Sequence, residues 1–457
     1  MSQAGGGGPA VSSASARPIA ARSASLGSGL ISRSFGFRTV TAQVCRNPGR
    51  SCRGVGPRLV IAAGALALVP VGASAAAEDP SHSWAASQIQ AVAAADLMGT
   101  KDPATFRPAA KLTAQELENL AFGLKLRLFP PALPATPAPG AVPQATTTTP
   151  TDPTTTTDPT QTTTPATTTA PTTTTVSTAP ATPPPAPEQP MKVAHPNAAV
   201  TMSELDARLV SALGLSNAAA EFAAGAHADG LRVPARFGTE VAARLLGLRL
   251  DHPAREDTLE LLPADPATRA EAAYSAAQIL HFAGWEVAGV QSLADSFALP
   301  TLSPWQTRIL DTAVARIGMP YVWGGTSDTY ETDFGVPARG GYDCSGFVWR
   351  VYKLQPYAGE GGLASVLRGR TTYLMSGEVP RSELIRFEDL QPADVIFFGE
   401  HGRSSNPSEV DHMGIYVGNG WFIHSSEYGV ALARLDGWYR RKFAWGRRPL
   451  REAGLVG

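Results

Sequence analysis

At 457 residues the chain is too long for one ordinary domain and predicts two or three. Its 38 Lys and Arg against 39 Asp and Glu leave a net charge of −1, which excludes the basic surface of a nucleic-acid binder. Three cysteines, Cys45, Cys52 and Cys344, are too few for a disulfide scaffold, and none stands in the Cys-x-x-Cys spacing of structural zinc.

Residues 1–58 are rich in Gly, Ser, Ala and Arg without apolar periodicity, and read as a disordered extension with translation starting nearer Val55. Residues 59–77 follow Arg53 and Arg58, are apolar, and close on Ala73-Ser74-Ala75-Ala76-Ala77. A basic flank, an apolar core and small residues at Ala-x-Ala positions predict a secretory signal cut near Ala75 or Ala77. The rival is a retained single-span anchor, against which Gly64, Pro70, Gly72 and the polar continuation count. Export with cleavage leaves Cys344 as the one thiol of the mature chain.

From Asp79 to about 127 the pattern is helical: Trp84, Ile89, Val92 and Leu97, then Leu117, Leu120 and Leu124. Thr113 with Glu116 has the form of a capping box, in which hydroxyl and carboxylate each satisfy a free N–H group. Residues 128–194 are Thr- and Pro-rich with almost no large apolar side chains, so no core can form there. As polyproline II this linker would reach roughly 190 Å. Helical patterning resumes over 195–300.

The first helical segment resembles an S-layer homology repeat, through Ser83-Trp84-Ala85-Ala86, Phe106-Arg107-Pro108 and Leu112-Thr113-x-x-Glu116. Val200-Thr201-Met202-Ser203-Glu204-Leu205 resembles the second-helix start of another repeat. Phe222 to Leu250 with Leu262-Pro263 and Thr268-Arg269-Ala270-Glu271 resembles a third. The resemblance implies an all-α wall-anchoring part over 79–127 and 195–300. Thr-Arg-Ala-Glu is that family's signature, and its arginine is implicated in binding wall polysaccharide. Only Arg269 fills that position here, with Ala114 and Met202 at the equivalents. An Ala/Leu-rich helical spacer is the alternative reading.

A C-terminal domain over 303–457 has a different grammar. Ile309, Ala313 and Ile317 predict a helix ending at Gly318, and Phe347, Val348, Val351 and Leu354 another beginning beside Cys344. Val395-Ile396-Phe397-Phe398 reads as a buried strand. Strands through Met413–Val417 and Trp421–His424 flank Asn419-Gly420, a hairpin signal. Helix followed by antiparallel strands makes this part α+β.

An unpaired exported thiol between Asp343 and Ser345, opening a helix, points to a nucleophile rather than to a small core residue. A helix N-terminus lowers a thiol's pKa through its dipole and an imidazole does so by ion pairing, so the expected thiol is more acidic than a free one. Of eight histidines, His412 and His424 lie on the hairpin strands. Alternation gives Met413, Ile415, Val417, Trp421 and Ile423 to the core, and His412, Tyr416, Phe422 and His424 to the other face. That requires an odd turn, such as 419–421 with Gly420 in a bulge; a plain two-residue turn separates the histidines. Even then they are offset along the strands, and twist must close the gap.

Residues of about 305–449 resemble the NlpC-type, papain-like cell-wall cysteine peptidases. The shared words are Pro320-Tyr321-Val322-Trp323-Gly324-Gly325, Asp343-Cys344-Ser345-Gly346, Leu390-Gln391-Pro392-x-Asp394-Val395-Ile396-Phe397-Phe398, His412-Met413-Gly414-Ile415-Tyr416-Val417-Gly418 and Phe422-Ile423-His424. The resemblance implies an α+β papain-like fold with Cys344 as nucleophile, His412 as general base and His424 orienting His412. Tyr321 takes the position of a tyrosine near the oxyanion, and Asp343 and Ser345 positions that line the substrate pocket in relatives. The implied reaction is cleavage of an amide in peptidoglycan stem peptides, most often between D-glutamate and a diamino acid. It needs no cofactor and no metal, although Cys344, His412 and His424 are zinc-ligand types. A non-catalytic wall-binding protein on the same fold and an acyltransferase using the same thioester are the alternatives. The loops over 326–342 and 399–411 are longer than the pattern.

Overall fold

The computed structural model describes residues 80–130, 189–250, 260–333 and 336–455. The N-terminal extension, the 59–77 signal and most of the Thr/Pro-rich linker lie outside the described residues. Among the described residues no single helix is long and apolar enough to cross a membrane.

The first part contains α1 (Ala86–Ala94), α2 (Ala114–Leu128), α3 (Met202–Ala212), α4 (Ser216–Ala228), α5 (Phe237–Leu245), α6 (Arg269–Leu280) and α7 (Trp285–Asp295). Three of these start alike. Thr113, Thr201 and Thr268 cap α2, α3 and α6 by accepting the N–H of Glu116, Glu204 and Glu271. The first N–H groups of a helix have no partner within it, and here neighbouring segments supply the acceptors. Ala114 and Gln115 donate to the carbonyls of Ala198 and Pro196; Met202 and Ser203 donate to those of Asp265 and Pro263; Arg269 and Ala270 donate to those of Ala110 and Pro108. Just upstream, Leu112 donates to Ala267, Ala267 to Val200 and Val200 to Leu112, closing a ring. The offsets are constant, so three chain segments are related by pseudo-threefold symmetry, and Ala114, Met202 and Arg269 are equivalent as the family resemblance implies. α1 packs on α6 and α5 on α3. The helix that would complete the set on α2 is not among the described residues, and the Thr/Pro-rich linker stands at that point in chain order.

The second part opens with α8 (Pro304–Val314), capped by Ser303 and Gln306 in a reciprocal box. The first long loop is two nested antiparallel ribbons: β1 (Thr326–Ser327) pairs with β4 (Gly341–Tyr342), and β2 (Glu331–Asp333) with β3 (Val336–Ala338). Asp328 pins the loop, bound by Arg316, Arg350 and the Tyr342 hydroxyl. Then come α9 (Cys344–Trp349), α10 (Leu363–Val366), α11 (Thr372–Ser376), β5 (Val395–Gly399), β6 (Val410–Gly418), β7 (Trp421–Ser426), β8 (Gly429–Arg434), α12 (Gly437–Lys442) and β9 (Phe443–Arg447). These last five strands form one antiparallel sheet in the order β8-β7-β6-β5-β9.

Both faces of the sheet are covered, which accounts for the unbroken apolar run of β5. Val395, Phe397, Met413, Ile415, Val417, Trp421 and Ile423 pack with Phe347, Val348 and Val351 of the helix on one face. Ile396, Phe398, Phe422 and Phe443 form a smaller core on the other, with Tyr416 and Tyr439 against it. The two helical and sheet parts share the larger core. Phe222 of α4 and Phe297 meet Trp421 edge-on, with ring centroids 6.0 and 5.3 Å away. Arg244 of α5 donates to the carbonyls of Gly318, at 2.7 Å, and Tyr428, while pairing with Glu240.

Glu240 and Arg244 are both almost wholly enclosed, and removing one partner of such a pair strands the other's charge. Arg244→Ala is expected to cost about 3–5 kcal/mol, read as a lower urea midpoint of the full chain. An unchanged midpoint would show that this contact does not hold the two parts together.

Candidate active site

Asp343 organises the start of α9. Its side chain caps the helix by accepting the Gly346 N–H, and also accepts the Ser345 hydroxyl at 2.9 Å and the Gly324 N–H at 2.9 Å. Arg370 closes the cluster, donating to Ser345 Oγ at 2.8 Å and the Gly324 carbonyl at 2.7 Å, with Asp343 at 3.5 Å. Gly346 permits this, because a Cβ there would sit 1.9 Å from the Gly325 carbonyl oxygen. The outcome is a half-buried Cys344 at the first position of the helix, next to strand β6. Its sulfur lies 3.5 Å from Thr372 Oγ1, and the Met413 and Ser345 amides exert a weak pull toward its thiolate.

His412 and His424 do share a face, by a route other than the expected odd turn. The turn is a plain Asn419-Gly420 pair, both at positive φ as a type I′ turn requires. The extra residue sits in β6 instead: Tyr416 pairs with Phe422 but Gly418 with Trp421, so Val417 bulges. A second irregularity, at Asp411, precedes His412 on the β5 side. Ile415 opposite Ile423 carries the register on to Gly414 opposite His424, two residues from His412. Gly414 then closes the diagonal gap by having no side chain. A Cβ there would lie 2.9 Å from the Phe422 ring and 3.1 Å from the His424 Cβ. His412 Nε2 and His424 Nδ1 are 2.8 Å apart.

The electrostatics reverse the expected acidic thiol. Burial, followed by the Asp343 carboxylate, pushes the Cys344 thiol up to about 11, against smaller pulls from Thr372 and the Met413 and Ser345 amides. Burial pushes His412 down to about 4 and, with His412 beside it, His424 well below an ordinary imidazole. The helix dipole expected to acidify Cys344 is outweighed first by burial of the sulfur and then by the anionic cap beside it. Burial of all three groups therefore works against a ready-made thiolate–imidazolium pair.

The other expected positions divide. Asp343 and Ser345 are buried, and their polar atoms are spent on α9 and Arg370 rather than facing open space. Tyr321 bridges its backbone to Tyr342, two residues before Cys344, and lines a small cavity with Arg244, Tyr428 and Gly429. Arg269 is not a free cation: it is buried against Glu116, the Met98 carbonyl and the Phe106 ring. Arg370, Thr372 and Tyr439 escaped the sequence reading, because they sit in a loop and two short helices whose partners lie 15 to 46 residues away. His401 lies in the 399–411 loop, which carries two short 3₁₀ turns.

Linkage sets the pH response of these groups. The raised thiol contributes stability in full below its ordinary value near 9, lost as pH rises toward 11. The lowered His412 contributes above 6.5, lost as pH falls toward 4. The urea midpoint should therefore fall between pH 6.5 and 4, less steeply in His412→Ala; an identical acid limb in the variant would contradict the buried neutral imidazole.

The model of the NlpC/P60 family matches residues 318–448, and that of the S-layer homology domain matches residues 79–117. A Mycobacterium tuberculosis protein named "Probable endopeptidase" is 34% identical over 127 residues, covering 28% of this chain and 25% of that one. The murein DD-endopeptidase of Escherichia coli is 31% identical over 147 residues, 31% of this chain and 45% of its own. The gamma-D-glutamyl-L-lysine dipeptidyl-peptidase of Bacillus subtilis is 29% identical over 126 residues, 27% of this chain and 33% of its own. The chain thus spans less than half the length of each of these curated relatives. Residues 318–448, with Cys344 on their helix and His412 and His424 on their sheet, are an NlpC/P60 family domain, and residues 79–117 upstream are an S-layer homology domain.

Proposed function

We propose that this chain is a secreted cell-wall hydrolase, a cysteine endopeptidase that cleaves amide bonds in peptidoglycan stem peptides between D-glutamate and a diamino acid. The observation that carries the reading is Cys344 at the capped start of α9, beside the strand whose His412 is bonded to His424. The names of two relatives, a murein endopeptidase and a gamma-D-glutamyl-L-lysine peptidase, support the substrate class, and the second supports the bond.

In this mechanism the Cys344 sulfur attacks the amide carbonyl carbon while its proton passes to His412 Nδ1, so that no free thiolate has to persist in a site that disfavours it. Of the first three N–H groups of α9, that of Gly346 is taken by Asp343. The N–H of Cys344 itself holds the oxyanion, with Tyr321 tied by its backbone to Tyr342 two residues before the sulfur. The C–N bond then breaks, and His412 returns the proton to the departing amine. Water, losing a proton to His412, hydrolyses the thioester and restores the thiol. Asp343 and Ser345 position the nucleophile and the Gly324 loop beside the substrate.

The S-layer homology part, including the helices of 195–300, holds the enzyme on a wall polysaccharide. With Arg269 committed to Glu116 and Phe106, that contact falls to other groups of the part.

The full chain incubated with isolated cell walls should release stem-peptide fragments detectable by mass spectrometry, and Cys344→Ala should release none. Intact walls after incubation with the wild type would sink the peptidase reading; amine adducts of the fragments would make the thioester a transfer intermediate. A second expectation concerns the resting thiol. Iodoacetamide labelling of Cys344 should keep rising with pH beyond the range of a free thiol, toward about 11. A rate already at its plateau below pH 8 would mean a pre-formed ion pair.

A further inference from the structure

The histidine pair continues to a third group. Tyr439 of α12 places its hydroxyl 3.5 Å from His424 Nε2, on the side of the ring away from His412. Its ring is fixed edge-on between Phe422, at 4.9 Å, and Phe398, at 5.4 Å, and meets His424 at 5.2 Å between centroids. Phe422 stacks on His424 at 4.8 Å, and His424 is 2% exposed. No water reaches such a ring freely, so its second nitrogen depends on the phenol.

A neutral imidazole has one N–H donor and one bare acceptor nitrogen. The hydrogen bond between His412 Nε2 and His424 Nδ1 therefore exists in two polarities. If Nε2–H of His412 donates, His412 keeps Nδ1 bare, and His424 must carry its proton on Nε2, toward Tyr439. If Nδ1–H of His424 donates, His412 must carry its proton on Nδ1 and has no basic nitrogen left for the thiol. The first polarity also survives proton uptake by His412, because Nε2–H goes on donating. The second would then set two N–H groups against each other.

We propose that Tyr439 is a positioning residue which selects the productive polarity, by accepting the Nε2–H of His424 and so holding His412 as a base at Nδ1. This rests on the peptidase reading only for its consequence, not for its geometry. Phenylalanine at 439 would leave a buried N–H without an acceptor. A bare buried nitrogen is the lesser penalty, so the proton of His424 would move to Nδ1 and that of His412 with it. Burial keeps the phenol neutral, which suits an acceptor that must not draw a proton from the ring.

The test is the protonation of each imidazole nitrogen in the ¹⁵N-labelled full chain near pH 7, from long-range ¹H–¹⁵N correlations. In the wild type both histidines should carry the proton on Nε2. In Tyr439→Phe the population should move toward Nδ1 on both. Fragment release should show kcat lower by about ten- to a hundredfold with little change in KM. Tyr357→Phe removes a different phenol, bonded to the Val351 carbonyl, and should leave both tautomers alone. A wild-type His424 protonated on Nδ1, a Tyr439→Phe spectrum like the wild type, or the same shift in Tyr357→Phe would each overturn the proposal. Should Tyr439→Phe not fold, the wild-type spectrum decides. These readings need no substrate, so a wild type that fails to digest walls counts against the peptidase reading and leaves the tautomers to judge Tyr439.

Discussion

The site hangs on the carboxylate of Asp343. One side chain ends the approach strand, caps α9, ties down the Gly324 amide and meets Arg370, so that sulfur, helix and neighbouring loop move together. Without it the first turn of a six-residue helix would have neither a cap nor an anchor. The same anion stands beside the sulfur and opposes its ionisation. The feature that places the sulfur is therefore also, after burial, what disfavours its thiolate.

That resting state fits the histidines. His412 and His424 lie among Phe398, Phe422 and Tyr439, on a second, small core behind the sheet. Low polarity around two imidazoles disfavours their charged forms, and the short bond between them makes their tautomers interdependent. A dry, neutral relay depends on which nitrogen holds each proton, whereas an exposed one would exchange with water at every step.

The helical part is built into the sheet-bearing part rather than strung beside it. Trp421, on the strand that bears His424, is packed by Phe222 and Phe297. Arg244 holds the carbonyls before Tyr321 and after His424. A segment that reads as an anchoring module thus braces two loops flanking the candidate site. Its Arg269, marked out by family signature as a polymer contact, serves as a strut between repeats.

Much of this was legible in the residues. Period-two patterning assigned the two faces of the hairpin, the Thr-x-x-Glu words located the helix starts of the repeats, and Cys344 stood out between Asp343 and Ser345 at a helix start. Such features are local, set by alternation, capping and composition within a few residues. Other decisions belong to the fold. The bulge at Val417 took the place of an odd turn because a bulge needs a partner strand, and the missing side chain of Gly414 matters only once Phe422 and His424 lie across from it. The thiol's protonation and the reach of Arg370, Thr372 and Tyr439 into the site likewise depend on burial and on contacts across long loops. Sequence by itself determined which side chains are candidates for the chemistry, because their types and local spacing are written in it. Tertiary structure alone decided their charge states and mutual aim, because both come from neighbours that are distant in the chain.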